Sequence, residues 1–210
     1  MTFEQILKNN GLMLDGSTTA PRKIGNTAAK RQIKEAMIKY ERLYFQDLIY
    51  AHGSITSDIF SGIDTRDITA DLSIANVNID FKDMGKCPGS YERDTNTIFL
   101  NYFYFDYFTL LHEMIHAYSD TLRKYDYGYS LRNYATFKLY EHLRGKIKDI
   151  EGMITKWLRF DIQNGLIDQG RIGHDVLFYL KSIDIELQLN FTPCEVIGYE
   201  APKYEVIRAA

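Results

Sequence analysis

The chain has 210 residues, 45% of them hydrophobic and 25% charged, with a formal net charge of −3. That balance belongs to an ordinary globular domain; it excludes whole-chain disorder, collagen and coiled coil, and no apolar run approaches the roughly 20 residues needed to cross a bilayer. Two cysteines, Cys87 and Cys194, cannot build a disulfide framework or a four-thiolate zinc ribbon, and the start MTFEQILKNNGLMLDG lacks the basic-then-apolar order of a secretory signal, so a reducing, cytoplasmic setting with no membrane partner is expected.

Residues 1–27 read as a short amphipathic start and a loop punctuated by GST, AP and GN. Residues 28–51 read as a helix, because Ile33, Ala36, Met37, Tyr40, Leu43, Tyr44 and Leu48 recur at spacings of three and four. Residues 52–73 carry turn formers without a period and predict a loop or short insertion. Val77, Ile79 and Phe81 alternate with polar residues, which predicts a half-buried strand; 86–90 is a turn and 97–100 a second short strand. The spacing becomes helical from about 106 to 120. Residues 131–163 predict one or two helices with Gly145 and Gly152 as weak points, and 174–188 an amphipathic helix with Val176, Leu177, Leu180, Ile183 and Leu187 on one face. The order implies an α+β domain.

The segment with chemistry in it is Leu110-Leu111-His112-Glu113-Met114-Ile115-His116-Ala117-Tyr118, which contains H-E-x-x-H. On a helix, positions i and i+4 share a face, so both imidazoles can hold one zinc ion. Glu113 projects beside the open coordination position and suits the role of general base toward a metal-activated water. With 5 His and 11 Glu in the chain, chance supplies this pattern about 0.006 times. The apolar flanks predict a buried helix, where two unpartnered histidines would be costly.

A catalytic zinc usually takes three protein ligands. The remaining histidines are His52, His142 and His174. His174 stands at the start of a helix, after Gly173, which gives the chain freedom to bring the ring close, and before an apolar face that would dock beside the active-site helix. Glu141, 25 positions after His116, is the competing ligand, and His142 beside it is a further one. Lys138 and Arg144, three residues either side of Glu141, are its natural surface partners.

These residues resemble a known family, the SprT-like zinc metalloproteases, which include the Spartan proteases. LLHEMIHAY, Leu110 to Tyr118, is similar to the family's active-site helix. In the family's order, Tyr44-Phe45 resembles the aromatic pair of its first helix, Val77 to Tyr91 its strand and turn ahead of the motif, and Ile98 to Asn101 the strand before the active-site helix. Gly173-His174 with Phe178 resembles its G-H-G-x-x-F element. The resemblance implies a zincin-like fold with a small antiparallel or mixed sheet. It also implies one catalytic zinc ion held by His112, His116 and His174, with Glu113 as base, and a protein or peptide substrate, including proteins associated with DNA.

The chain departs from the family at three places. The family's third histidine follows H-E-x-x-H much sooner, whereas 58 positions separate His116 from His174, so a helical insertion is expected at about 123–170. Asp175 replaces the element's second glycine, and Cys194 stands alone where many members carry a cysteine-rich segment. The expected organisation is an N-terminal segment at 1–27, the metalloprotease domain at 28–200 and a tail at 201–210.

Two segments concentrate positive charge. Residues 22–43 and 122–148 each hold seven Lys and Arg against two acids. The plain reading is a solvated helix face. The Arg123-Lys124-Tyr125-Asp126-Tyr127-Gly128-Tyr129 stretch also has the composition of a single-stranded DNA groove, with Tyr rings for bases and cations for phosphates. The rival to a protease is therefore a non-catalytic, metal-containing module that binds nucleic acid or protein. The strand ending near Leu100 is read as the edge along which a substrate would lie, and Cys87 and Cys194 as buried thiols.

Overall fold

The structure, a computed structural model, describes residues 27–45, 74–101, 106–123, 131–164, 174–198 and 203–207. The predicted loop at 52–73 lies outside these residues, as do the N-terminal segment through residue 26 and the Tyr-rich stretch from 124 to 130.

Helix α1, Thr27–Tyr40, buries Ile33, Ala36 and Met37 at the predicted spacing. It continues as a widened π turn, Glu41–Phe45, which drives Phe45 into the core. Glu41 is buried there because its Oε1 accepts the Ile74 N–H at 2.6 Å. Residues 46–51, expected to extend the helix, lie outside the described part.

Three strands form one mixed sheet: β1 Asn78–Lys82, β2 Gly89–Glu92 and β3 Thr97–Asn101. The order is β1-β3-β2, with β3 parallel to β1 and antiparallel to β2. Ile79 pairs with Ile98 and Phe81 with Leu100, so the alternation read around 77–81 carries the buried face. Strand β3 is therefore central, and the expectation of a substrate edge near Leu100 is corrected: both sides of β3 are already paired. Strand β2 was not predicted beyond a turn, because Gly-Ser-Tyr-Glu has no apolar alternation and three of its four residues are half-buried. A tight turn through Asn96, with φ of 47°, joins β2 to β3; asparagine tolerates this left-handed conformation.

Helix α2, Tyr107–Arg123, packs on β2 and β3. The Asp106 carboxylate caps its start by accepting the Thr109 N–H at 2.8 Å. Leu110, Leu111, Met114, Ile115, Tyr118 and Leu122 are fully or almost fully buried. The expected insertion holds two helices, α3 Leu131–Leu143 and α4 Ile150–Gln163. The break falls at Gly145, as read. Gly152 instead lies in the first turn of α4, where a Cβ would sit 2.2 Å from an oxygen of the capping Asp149.

Helix α5, Val176–Leu189, packs against α2, α3 and α4. The sequence predicted one apolar face; residues 177–186 are instead buried all round. Its polar residues survive this by internal pairing. Lys181 meets Asp184 at 2.9 Å and donates to the Tyr44 carbonyl, with its ammonium 5.2 Å from the centre of the Phe45 ring. Residues 203–207, within the expected tail, pack back on the domain: Tyr204 is buried and Val206 bridges Ile147. The whole is an α+β domain, and no helix among the described residues is long and apolar enough to cross a membrane.

Candidate metal centre

His112 and His116 project one turn apart from α2, and His174 arrives from the turn ahead of α5. Nε2 of His112 lies 3.2 Å from Nε2 of His116 and 3.2 Å from Nε2 of His174. Ligands on a tetrahedral ion at 2.0–2.1 Å stand about 3.3 Å apart. The three residues form a group that could hold a metal ion, and it is the one such group of His, Cys, Asp or Glu among the described residues.

The chemistry of the donors fits a cation. Nδ1 of His112 faces the Val196 carbonyl oxygen at 2.9 Å, so it carries the hydrogen and Nε2 is left as a lone pair. That lone pair points at two further imidazole nitrogens. Protonation does not relieve the crowding at neutral pH: burial pushes the His112 imidazolium down to about 3, helped by the neighbouring His174, and burial also holds His116 well below its ordinary value. A bound cation satisfies all three nitrogens together.

Phe178, in the first turn of α5, forms an apolar floor. Its ring centre lies 4.8 Å from those of His112 and His116 and 4.3 Å from that of His174. Asp175 sets this turn by capping α5, its carboxylate accepting the Phe178 N–H at 2.9 Å. The same carboxylate pairs with Arg132 of α3 and lies 3.6 Å from Arg123 at the end of α2. Asp175 thus anchors the turn to two other helices. On its far side, His174 places Nδ1 3.5 Å from Oδ2 of Asp161 on α4.

The Val196 carbonyl is held as firmly. Glu186, fully buried on α5, accepts the N–H groups of Cys194 at 3.0 Å and Val196 at 2.7 Å, and the Tyr204 hydroxyl at 2.8 Å. Cys194 has φ of 76° within this turn, an uncommon value for a residue with a side chain.

Glu113 lies between α2 and β2. It is buried, and burial raises its carboxyl to about 8, opposed by a hydrogen bond from the Tyr91 N–H of β2. Close approach of the strand depends on Gly89: a Cβ there would sit 2.6 Å from Thr109 Cγ2 and 3.1 Å from Glu113 Oε1.

Of the predicted site residues, His112, His116 and His174 are brought together, and Glu113 follows His112 on α2, buried against Gly89 and Tyr91 of β2. Glu141 is not; it pairs with Arg144 at 2.9 Å, as its spacing suggested. His142 is exposed beside Lys146, also away from the cluster. Of the two thiols read as buried, Cys194 is, but Cys87 is exposed in the turn before β2, its Sγ 3.0 Å from the Gly89 carbonyl oxygen. Several cations of the two basic segments have partners within the chain: Lys30 with Asp80, Lys34 with the Val77 carbonyl, Arg123 and Arg132 with Asp175, and Lys148 with Glu205. Sequence reasoning missed Asp161, Glu186 and the Val196 carbonyl. For Asp161 a signal existed, since it falls in register with Ile150, Met153, Ile154 and Trp157, where an apolar residue was due. A backbone carbonyl leaves no such trace. Comparison with family models, curated proteins and solved structures finds no match to this chain.

Proposed function

We propose that the chain is a zinc-dependent peptidase of the SprT-like, zincin type. The observation that carries this reading is the convergence of three imidazole Nε2 atoms, two of them from the helix that also carries the buried Glu113. Zinc is the ion suited to three neutral imidazoles, and when bound it supplies Lewis acidity toward a water and a substrate carbonyl. A purely structural site would close the fourth position with another protein ligand and would have no use for Glu113.

The chain's own residues do the rest. His112, His116 and His174 would hold the ion, and the apolar Phe178 ring packs against all three imidazoles. Glu113 takes the proton from the attacking water and passes it to the departing amine. Its carboxyl accepts the Tyr91 N–H and so is tied to β2. Strand β2, which has β3 as its one strand partner among the described residues, is the edge beside Glu113. An extended protein substrate lies along that edge in this reading, in place of the β3 edge read from the sequence.

Glu113→Gln removes the base and keeps every ligand. The expected result is unchanged zinc content and a loss of roughly 100-fold to 10,000-fold in cleavage of a casein-type substrate, assayed with and without single-stranded DNA. An unchanged rate on a substrate that the wild type cleaves overturns the assignment.

A further inference from the structure

We propose that Asp161 is a positioning residue for the metal centre, its carboxylate accepting the Nδ1 hydrogen of His174 and thereby fixing that ring with Nε2 toward the ion. The proposal rests on the metal reading above, and it gives the helical insertion between His116 and His174 a task at the site.

Three observations lead to it. Asp161 is 0% exposed, on a helix face otherwise formed by Ile150, Met153, Ile154 and Trp157. An ionised carboxylate in such a place is expensive unless it is paired. Its Oδ2 accepts the Tyr179 hydroxyl and stands 3.5 Å from His174 Nδ1. His174 has its other nitrogen 3.2 Å from His112 Nε2, so the ring spans carboxylate and metal position end to end. A hydrogen fixed on Nδ1 leaves Nε2 as the donor to a cation, and an anion behind the ring makes that nitrogen a better ligand. His112 receives the equivalent service from a neutral carbonyl, Val196. His174 comes from a turn and not from a helix interior, and it has the stronger, charged acceptor behind it.

The Tyr179 hydroxyl separates this role from plain core structure. If Asp161 exists to satisfy Tyr179, removing either partner should produce the same defect. If it acts through His174, only the loss of the carboxylate should reach the metal.

The experiment measures zinc affinity by competition with a chromophoric chelator, the visible spectrum of the cobalt(II)-loaded protein and the melting of the metal-free protein, for wild type, Asp161→Asn and Tyr179→Phe. Asp161→Asn is expected to weaken zinc binding by about 10-fold to 100-fold and to change the cobalt spectrum. Tyr179→Phe should lower the melting temperature and leave affinity within about threefold of wild type, well inside the range expected for loss of an outer partner. Zinc binding by Asp161→Asn equal to wild type overturns the proposal, as does an equal affinity loss in both variants. Should Asp161→Asn fail to fold, the wild type still decides: His174 Nδ1–H must appear by NMR in the zinc-loaded protein as a proton protected from exchange, and fast exchange overturns the proposal. A wild type that takes up no zinc overturns the metal reading itself, whereas tight wild-type binding with an unaffected Asp161→Asn removes Asp161 alone.

Discussion

Helix α2 and the turn ahead of α5 both deliver imidazoles to one point, by different means. In α2 the placement is local. One turn of helix separates His112 from His116, the Asp106 cap fixes the start, and the buried face docks the whole on the sheet. At His174 nothing local would suffice. Asp175 is tied to Arg132 of α3 and Arg123 of α2, Asp161 of α4 stands behind the ring, and Phe178 lies beneath it. The lesson is that the spacing of two imidazoles is set by secondary structure, and the arrival of the third by tertiary structure. Mutational sensitivity should follow: on α2 it should centre on the two histidines and on the 194–196 segment that orients His112, whereas for His174 it should spread over residues of α2, α3 and α4.

The largest effect tests whether the tertiary ligand is a full ligand. His174→Ala should weaken zinc binding by roughly 100-fold or more, matching His116→Ala, because in the proposed centre each removes one of three protein donors. Glu141→Ala should leave affinity within about twofold, as expected for a half-exposed surface pair. Tight zinc binding by His174→Ala, or a large loss in Glu141→Ala, breaks the comparison at its root.

A smaller effect sharpens it. Arg132→Ala leaves Asp175 with Arg123 at 3.6 Å and removes the contact of the Arg132 Nε with the Ser119 hydroxyl at 3.3 Å. A loss of about 1–3 kcal/mol in denaturant-measured stability is expected. Arg93→Ala breaks a half-exposed pair and leaves the buried Asp120 its hydrogen bond from the Tyr91 hydroxyl at 3.3 Å, so it should cost at most about 1 kcal/mol. Equal losses would show that the α5 turn is no more dependent on remote cations than α2 is.

The smallest effect lies in pH. Burial holds the Glu186 carboxyl above its ordinary 4.5, against the lowering effect of its hydrogen bonds from Cys194, Tyr204 and Val196. A carboxyl raised in the folded state contributes stability that is fully present below the unfolded value and lost as the pH rises through the folded one. Relative to Glu186→Gln, wild type should therefore lose stability as the pH climbs from about 4.5. A difference that stays flat with pH would remove this cost from Glu186.

The sequence made α2 legible because its information is periodic and contiguous: the ligand spacing, the base and the apolar flanks all lie within a few turns. Strands β1 and β3 were legible for the same reason, through Ile79 and Phe81 and through Ile98 and Leu100. Strand β2 was not, because its edge position and its glycine are consequences of packing on Glu113. The burial of α5 on every side was hidden too. Lys181, Asp184 and Glu186 lie off the apolar face read from the sequence, and the partners that let them be buried include Tyr44, Cys194, Val196 and Tyr204, brought to them from other parts of the chain. His174 could be chosen over Glu141 on the chemistry of its flanks, but its supports on α3 and α4 could not be read from spacing.

The Val196 carbonyl has a consequence for how the proposed metal centre would be loaded. It lies 84 residues beyond His112 along the chain, and it is held through Glu186 by Tyr204, farther along still. Contacts of such separation form late, because loop closure must precede them. A nascent chain that has exposed only the H-E-x-x-H helix therefore offers an incoming ion two unfixed rings. Metal loading at the proposed centre would then follow folding, and chelation should leave a folded, reloadable domain.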